Sequence, residues 1–330
     1  MIGPVADGVV DVHAHWLPRE LFHLPPGAPY GALTDLDGEL HLGEVPLSIA
    51  ATAMSDVAAV RADMDTARIG VRVLSAPPFA FPVGDPAAGH DATDYVASFN
   101  DALSRVAADS DGALAGLGLV RLHDESAVRD DLADLARMPG IAGVAIPPLL
   151  RGESLDRGAL RAVVTGAAEL DLAVLVHPMQ LPRPEWSSYY LANLIGNPTE
   201  TATAVASLLL SGLAEELPLL RICFVHGGGS APGLLGRWEH AFGRRADVAR
   251  SAKRGPRESF RDLFLDTVTH DADELDLLVA RAGSDRVAVG SDYPFDMAQP
   301  HPVAFAVDNG LSPTSLTTAG RSFLGLTPER

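Results

Sequence analysis

The sequence predicts an α/β protein, a (β/α)8 TIM-type barrel with a small insertion after the first strand. Three observations support this fold class: eight short apolar runs recur along the chain, helical patterns separate them, and histidine or aspartate side chains follow four of the runs. Strand–helix alternation of this kind is typical of a barrel. The 330 residues are enough for a single barrel domain over 1–330, because the fold needs about 250.

The predicted strands are short and continuously apolar, as expected for strands buried on both faces of a parallel sheet. They cover 9–15, 71–75, 114–120, 143–146, 173–176, 222–225, 263–266 and 287–289. A doubly wound open sheet is the alternative. It is less favoured because no Gly-x-Gly-x-x-Gly motif follows the first run, and because the first and last strands of an open sheet would rarely meet.

Helical spacing of apolar residues separates the strands. One pattern covers 95–106 and another 160–170, for which Ser154 is the predicted N-cap. Asn197 is the predicted N-cap of a further helix, with Pro198 at its first helical position.

Two proline-rich stretches interrupt this rhythm. Residues 16–55 are too long for a strand-to-helix loop, so we predict an insertion over the barrel mouth, with a hairpin around Asp37 and Gly38. The second stretch, 178–198, follows His177. Both leave from strands that end in histidine, so both should form walls of a pocket.

The chain is strongly acidic, with 43 Asp and Glu residues against 25 Lys and Arg and a formal net charge of −18. This charge argues against a nucleic-acid or anionic-membrane partner. No apolar run approaches the about 20 residues of a membrane span, and no signal-peptide pattern is visible. Cys223 is the only cysteine, which is typical of a reducing compartment. We therefore expect a cytoplasmic protein.

Potential metal ligands follow the first, fifth and eighth strands. His13 and His15 are two residues apart, so both side chains point to the same side of the first strand. His177 and Asp292 follow the other two, and the carboxyl ends of barrel strands meet at one face. Three imidazoles, a carboxylate and a water suit one Zn²⁺, and a zinc-bound water has a pKa of about 7. Iron, cobalt or manganese are alternatives.

His226 follows the sixth strand and precedes three glycines. It could be a further ligand. We favour an acid/base that acts with Asp292 beside the metal-bound water, because an imidazole titrates near neutral pH. Asp11 lies deeper on the strand of His13 and His15, which favours a hydrogen-bonding role beneath the ligands.

These residues resemble the amidohydrolase superfamily, and within it the aminocarboxymuconate-semialdehyde decarboxylase branch of metal-dependent decarboxylases. The resemblance rests on Asp-x-His-x-His at 11–15, Leu-Val-His-Pro at 175–178, YLANLIGNPTET at 190–201, Phe-Val-His-Gly-Gly-Gly at 224–229 and Gly-Ser-Asp-Tyr-Pro-Phe at 290–295. It implies a barrel with one zinc held by His13, His15, His177 and Asp292, and His226 as the acid/base. The fourth strand has no lysine, so a mononuclear site is expected.

The resemblance also implies a homodimer in which Arg237 reaches the substrate across the interface. Two features depart from the branch: no arginine lies near His41, where related decarboxylases bind a substrate carboxylate, and the Pro-Trp of the later loop is replaced by Ala192-Asn193. We therefore expect a different, cyclic and less charged substrate. The predicted substrate contacts are Arg237, His41, Trp186, Asn193 and Phe295.

The predicted function is a metal-dependent, non-oxidative decarboxylase of an unsaturated or aromatic carboxylic acid. A hydrolase or hydratase of a cyclic lactone, amide or unsaturated acid is the alternative, because the same metal-bound water could attack a carbonyl carbon. The fold alone does not separate the two. A non-catalytic binding protein is a third reading, which the intact ligand set and His226 disfavour. The expected partner is a small carboxylic acid or cyclic molecule.

Overall fold

The computed structural model describes residues 7–326, so residues 1–6 and 327–330 of the predicted domain lie outside it. Its strands are β1 Val10–His15, β2 Leu33–Leu36, β3 Glu39–Leu42, β4 Val45–Ala50, β5 Val71–Ser75, β6 Leu114–Gly118, β7 Ile141–Ile146, β8 Ala173–Val176, β9 Arg221–Phe224, β10 Phe264–Asp266 and β11 Val287–Ala288. All but β2–β4 form one parallel sheet, β1-β5-β6-β7-β8-β9-β10-β11. Each of the eight predicted strands is found.

Parallel bridges from Asp11 to Val289 and from Ala14 to Tyr293 join the two ends of this sheet. The amide of Val12 donates to the carbonyl of Val289 at 2.8 Å. The sheet therefore closes into the predicted (β/α)8 barrel, and its first and last strands are neighbours.

Helices separate the barrel strands and cover the outside of the sheet. They are α1 Ala51–Ser55, α2 Val57–Ala67, α3 Thr93–Ala108, α4 Glu125–Leu135, α5 Gly158–Glu169, α6 Asn197–Leu210, α7 Leu213–Glu216, α8 Ala231–Phe242, α9 Pro256–Ser259, α10 Ala272–Ala282, α11 Pro302–Asp308 and α12 Pro313–Phe323. Within residues 7–326, no helix combines the length and the apolar character needed to cross a membrane.

Two predicted helix caps are wrong. α5 begins at Gly158 after Arg157, and the Ser154 hydroxyl instead contacts that of Ser207 at 2.8 Å. Asn197 is not a cap because a π-helical turn over 192–196 continues directly into α6. Its side-chain oxygen instead accepts a hydrogen bond from the Gln180 amide at 3.1 Å.

The first insertion contains a separate antiparallel sheet, β2-β3-β4. Asp37 and Gly38 connect β2 to β3 with φ values of 53° and 95°, as a two-residue type I′ turn requires, so the predicted hairpin is confirmed. The Tyr30 hydroxyl donates to the carbonyls of Met179 and Gln180. This contact ties the insertion to the second proline-rich stretch, beside the barrel mouth.

A buried polar network lies under the carboxyl face of the barrel. The Asp11 carboxylate accepts from Arg72 Nε at 2.8 Å and from the Ser291 hydroxyl at 2.6 Å. Arg72 also donates to Asp63 on α2 at 2.7 Å. The network links β1, β5 and the end of β11, and it gives Asp11 the hydrogen-bonding position expected from the sequence.

Candidate metal centre

Five side chains meet at the carboxyl face of the barrel. His13 and His15 come from β1, and their ring centroids are 5.2 Å apart. His177 follows β8, His226 follows β9 and Asp292 follows β11. All but His226, which is partly exposed, are buried. The barrel topology therefore brings together every residue that the sequence suggested as a metal ligand or acid/base.

The four histidines are arranged around the Asp292 carboxylate. Its Oδ1 lies 3.1 Å from Nε2 of His13, 3.2 Å from Nε2 of His15 and 3.9 Å from Nε2 of His177. Its Oδ2 lies 3.4 Å from Nε2 of His226. The three predicted ligand histidines thus face one carboxylate oxygen, and the predicted acid/base faces the other.

The hydrogen bonds of Nδ1, the second ring nitrogen, also distinguish the three predicted ligand histidines from His226. Nδ1 of His13 donates to Asp266 at 2.6 Å, that of His15 to the Ala76 carbonyl at 3.2 Å, and that of His177 to the Pro178 carbonyl at 2.7 Å. Such acceptors hold the Nδ1 proton and orient the ring so that Nε2 faces the site, as is usual for metal-binding histidine. Nδ1 of His226, by contrast, is buried and has no hydrogen-bond partner in the part of the chain that the structure describes.

This donor set fits a metal ion. Nε2 of His13 and of His177 are buried and have no hydrogen-bond partner within the described residues, which is costly unless a ligand satisfies them. One atom each from His13, His177, His226 and Asp292 lie within 4.8 Å of one another. This group includes His226 and not His15, so the geometry alone leaves His226 open as a further ligand.

Asp266, at the end of β10, is a site residue that the sequence reasoning missed. It is fully buried. One carboxylate oxygen accepts from His13, and the other accepts from the backbone amides of Gly227 at 2.8 Å and Val268 at 3.1 Å. Its position at the end of an apolar strand, like that of Asp292, was the available signal.

Burial and the neighbouring charges raise the pKa of one site histidine and lower the pKa values of two others. Burial lowers the pKa of His13, but the carboxylates of Asp292 and Asp266 outweigh it and raise this pKa to about 10. Burial lowers the pKa of His177 to about 3 and lowers that of His15. Burial would raise the pKa of Asp292, but the facing histidines, above all His13, hold it well below its usual range.

Backbone strain also marks the site. His226 and Asp292 have φ values of 55° and 59°, in the left-handed region that costs a side-chain-bearing residue roughly 1–2 kcal/mol. Residues held in such conformations cluster at functional sites. Both lie in the loops that follow β9 and β11, and their side chains meet at the Asp292 carboxylate.

A cavity of about 900 Å³ is lined by three of the five side chains, His177, His226 and Asp292. Asn193 and Phe295, two of the predicted substrate contacts, line it. The Phe295 ring packs edge-on against His15 with a centroid separation of 5.1 Å and against Phe79 at 6.2 Å. Tyr190 lines the cavity, whereas the neighbouring Tyr189 is 88% exposed.

The other three predicted substrate contacts do not line the cavity of this chain. His41 pairs with Thr34 in the insertion sheet, and its neighbour Leu42 faces the cavity instead. Trp186 packs under Arg183, 5.0 Å from the ring centroid. Arg237 is exposed on α8. Within the described part of one chain, His41, Trp186 and Arg237 lie outside the lining of this cavity, and their role as substrate contacts stays a prediction.

The chain is similar in sequence and in fold to several known decarboxylases. A 2-amino-3-carboxymuconate-6-semialdehyde decarboxylase of Dictyostelium discoideum is 28% identical over 299 residues, or 88% of this chain and 82% of the relative. The 5-carboxyvanillate decarboxylase structure from Sphingomonas paucimobilis superposes with a TM-score of 0.79 at 20% identity, covering 96% of this chain and 97% of that one. A 5-carboxyvanillate decarboxylase variant from Novosphingobium aromaticivorans, with bound manganese and 3-methoxy-4-hydroxy-5-nitrobenzoic acid, has a TM-score of 0.76 at 18% identity, with coverages of 96% and 97%.

The family model described as Amidohydrolase matches residues 10–328. This match includes Asp292, the four histidines around it, Asp266 and the whole closed sheet. The resemblance inferred from the sequence motifs is confirmed, and so is the expectation of an enzyme. The chain belongs to the amidohydrolase family.

Proposed function

We propose that this protein is a divalent-metal-dependent, non-oxidative decarboxylase of an aromatic or unsaturated carboxylic acid. The observation that carries the proposal is how the histidines are arranged around Asp292. The three histidines whose Nδ1 atoms donate hydrogen bonds face its Oδ1, and His226 faces its Oδ2. This arrangement supplies a ligand set and a separate proton-transfer group in one cavity. The decarboxylase names of the relatives support the same reaction type.

The ligands that we assign are His13, His15, His177 and Asp292. Zinc accepts this set, and it is our predicted ion. Manganese is the main rival, because it is bound in a structural neighbour and also accepts carboxylate and imidazole ligands. A divalent cation bound here would act as a Lewis acid that stabilises negative charge on substrate oxygens.

His226 is the residue that we assign to proton transfer. When the bond between the substrate carbon and its carboxylate breaks, the electron pair stays on that carbon, carbon dioxide leaves, and the carbon takes up a proton. His226 Nε2 would deliver this proton, because its side chain is 19% exposed and borders the cavity. Asp292 Oδ2, 3.4 Å away, would hold the imidazole in position and stabilise its protonated form.

The apolar wall of the cavity would orient the substrate. Phe79 and Phe295 pack edge to face, and an aromatic or conjugated acid can stack against such rings. Their placement beside His15 would direct the carboxylate towards the metal ligands. This wall also removes water from one side of the reacting carbon, which strengthens the local electrostatic interactions.

The test is a mass-shift assay. Zinc-loaded and manganese-loaded protein would be incubated with a pooled panel of aromatic and unsaturated acids, lactones and amides, and the products read by mass spectrometry. We expect loss of carbon dioxide from at least one acid. Addition of water without such a loss would overturn the proposal in favour of the hydrolase or hydratase.

A variant pair separates the role of His226 from a general effect on the fold. His226→Gln should retain bound metal and lower kcat by about 10²–10⁴-fold, the usual contribution of a general acid or base. His240→Gln, at an exposed position of α8, should leave kcat unchanged. Loss of metal from His226→Gln would instead identify His226 as a ligand.

A further inference from the structure

The segment that follows His177 is held in place by side chains. Residues 178–181, at the start of the second proline-rich stretch, form neither strand nor helix. The amides of Met179 and Leu181 instead donate to the two carboxylate oxygens of Glu200, at 2.9 and 2.6 Å. Backbone amides that are removed from water need acceptors, and Glu200 supplies one to each.

Glu200 is a buried carboxylate whose partners are these backbone amides. It lies in the first turn of α6 and is 3% exposed. Burial raises the pKa of Glu200, and the hydrogen bonds from Met179 and Leu181 oppose this effect. Glutamate is rarely buried without a partner. An apolar residue of similar size would avoid the desolvation of the charge but would leave both amides without an acceptor, so the carboxylate is matched to this segment of backbone.

One peptide group connects Glu200 to the proposed metal ligand His177. The carbonyl of Pro178 and the amide of Met179 belong to the same planar unit, in which C=O and N–H point in opposite directions. The carbonyl accepts from Nδ1 of His177 at 2.7 Å, and the N–H donates to Oε2 of Glu200 at 2.9 Å. The carboxylate and the imidazole therefore lie on opposite sides of one rigid group, and together they fix its orientation.

The charge of Glu200 also strengthens the hydrogen bond on the other side of this peptide group. A charge-assisted bond at the N–H polarises the peptide, which makes its carbonyl a better acceptor. A better acceptor for Nδ1–H makes Nε2 of His177 a stronger electron-pair donor, as the acceptors behind metal-binding histidines usually do. His13 donates to a carboxylate directly, that of Asp266, whereas His177 is linked to one through a peptide group.

We infer that Glu200 is a positioning residue for the metal centre, which acts on His177 through the peptide group between Pro178 and Met179. Glu200 is not among the described residues that line the cavity. The inference gives a role to the glutamate of the motif at 190–201, which the proposed function leaves without one. It rests on the proposed function, because it assumes that His177 binds the metal through Nε2.

The test compares two carboxylates that each hold a pair of backbone amides. Glu200→Gln keeps the size of the side chain, but it removes the charge and one of the two acceptors. We expect this variant to lower Zn²⁺ affinity by about tenfold, the lower end of the effect of changing an acceptor behind a metal-binding histidine. Glu215→Gln is the matched control, because Glu215 on α7 accepts from the amides of Lys253 and Arg254 at 2.9 and 2.8 Å.

Affinity is measured by competition with a chelator, and it should be unchanged in Glu215→Gln. An unchanged affinity in Glu200→Gln, or an equal loss in both proteins, would overturn the inference.

A third variant separates this path from a general loosening of the segment. The side-chain oxygen of Asn197 accepts from the Gln180 amide at 3.1 Å. Asn197→Ala therefore releases the same segment but leaves the peptide group that His177 contacts bound to Glu200, and it should leave Zn²⁺ affinity unchanged. A loss equal to that of Glu200→Gln would show that the segment as a whole holds His177, which contradicts the inference.

Glu200→Asp tests whether the charge can be restored. Its shorter side chain keeps the negative charge, so its Zn²⁺ affinity should lie between that of Glu200→Gln and that of the unmodified protein. If Glu200→Gln does not fold, Glu200→Asp is compared with Glu215→Asp. Equal affinities in these two proteins would contradict the inference.

Chelator competition does not depend on turnover, so the inference and the proposed function can fail separately. If His177→Ala loses its metal while Glu200→Gln keeps full affinity, only the inference fails. If His177→Ala keeps its metal, the ligand assignment fails and the inference fails with it. Loss of affinity in Glu200→Gln, without carbon dioxide release from any acid by the unmodified protein, would remove the proposed reaction and leave the role of Glu200 standing.

Discussion

Asp266 accepts a hydrogen bond from Nδ1 of His13 at 2.6 Å in a site where both side chains are fully buried. The second oxygen of the same carboxylate accepts from the Gly227 amide. One residue of β10 therefore orients a histidine of β1 and also fixes the turn that carries His226. The proposed ligands and the proposed proton-transfer group depend on the same carboxylate.

We expect Asp266→Asn to weaken metal binding by about 10–100-fold, as is usual when the acceptor behind a metal-binding histidine is changed. An amide cannot accept on both sides, so either His13 or Gly227 loses its partner. The measurement is metal affinity by competition with a chelator. Asp273→Asn, on the exposed face of α10, is the control, and equal affinities in the two proteins would contradict this role.

His177→Ala should abolish metal retention and activity together. Its Nε2 is buried and has no hydrogen-bond partner among the described residues, so the substitution deletes a proposed ligand from the site. Metal content after gel filtration and the rate of carbon dioxide release check this expectation. His240→Ala, which changes an exposed histidine, should retain both. A His177→Ala protein that keeps its metal would remove this residue from the ligand set.

Metal affinity should rise with pH across the neutral range. The pKa of His13 is raised to about 10 in the metal-free site, so the side chain carries a proton that a metal ion must displace. His15 and His177, whose pKa values are lowered, release none. We expect about a tenfold gain in affinity per pH unit between pH 6 and 9, which is the slope for one released proton. Chelator competition at several pH values would reveal a pH-independent affinity if the expectation is wrong.

The sequence predicts the barrel well because each strand can be recognised from residues that are neighbours along the chain. Each buried strand is a continuous apolar run, and the site histidines lie in β1 or in the loops after β8 and β9, so their convergence follows from topology. Helix caps were less predictable because long-range contacts override local preference. Asn197, for example, is a residue type that favours an N-cap. Its side-chain oxygen instead accepts from the Gln180 amide, and a π-helical turn directly precedes it.

The pocket walls were the least predictable part. The type I′ turn at Asp37-Gly38 sets the register of β3, and alternation along the strand then directs Leu42 rather than His41 into the cavity. Asp266 was missed for a related reason. A single aspartate after an apolar run resembles an ordinary strand end until the partner strand that brings His13 to it is known.

The three glycines after His226 give a prediction about stability. Gly229 has a φ of 60°, and a Cβ added there would lie 2.6 Å from the Pro198 carbonyl oxygen and 2.9 Å from its Cα. We expect Gly229→Ala to lower the free energy of unfolding by at least about 2 kcal/mol, because backbone strain and a backbone clash combine. Urea denaturation gives this value.

Gly233→Ala is the matched control for that variant. Gly233 lies within α8, and no atom of residues 7–326 lies within 4 Å of a Cβ added there, apart from its neighbours and the helix backbone. Alanine should therefore stabilise the protein by about 0.5–1 kcal/mol through helix propensity. Equal effects of the two substitutions would mean that the turn after His226 tolerates a side chain, contrary to the geometry.

The network beneath the site should be a major contributor to stability. Arg72 is fully buried between Asp11 and Asp63, and removing one partner of a buried ion pair leaves an uncompensated charge, which typically costs about 3–5 kcal/mol. Arg72→Met should therefore lower the free energy of unfolding by that amount. Arg129→Met breaks an exposed pair with Glu125 on α4, where the side chain is 64% exposed, and should cost less than about 1 kcal/mol. Similar denaturation midpoints for the two variants would show that Asp11 is neutralised by another group once Arg72 is absent.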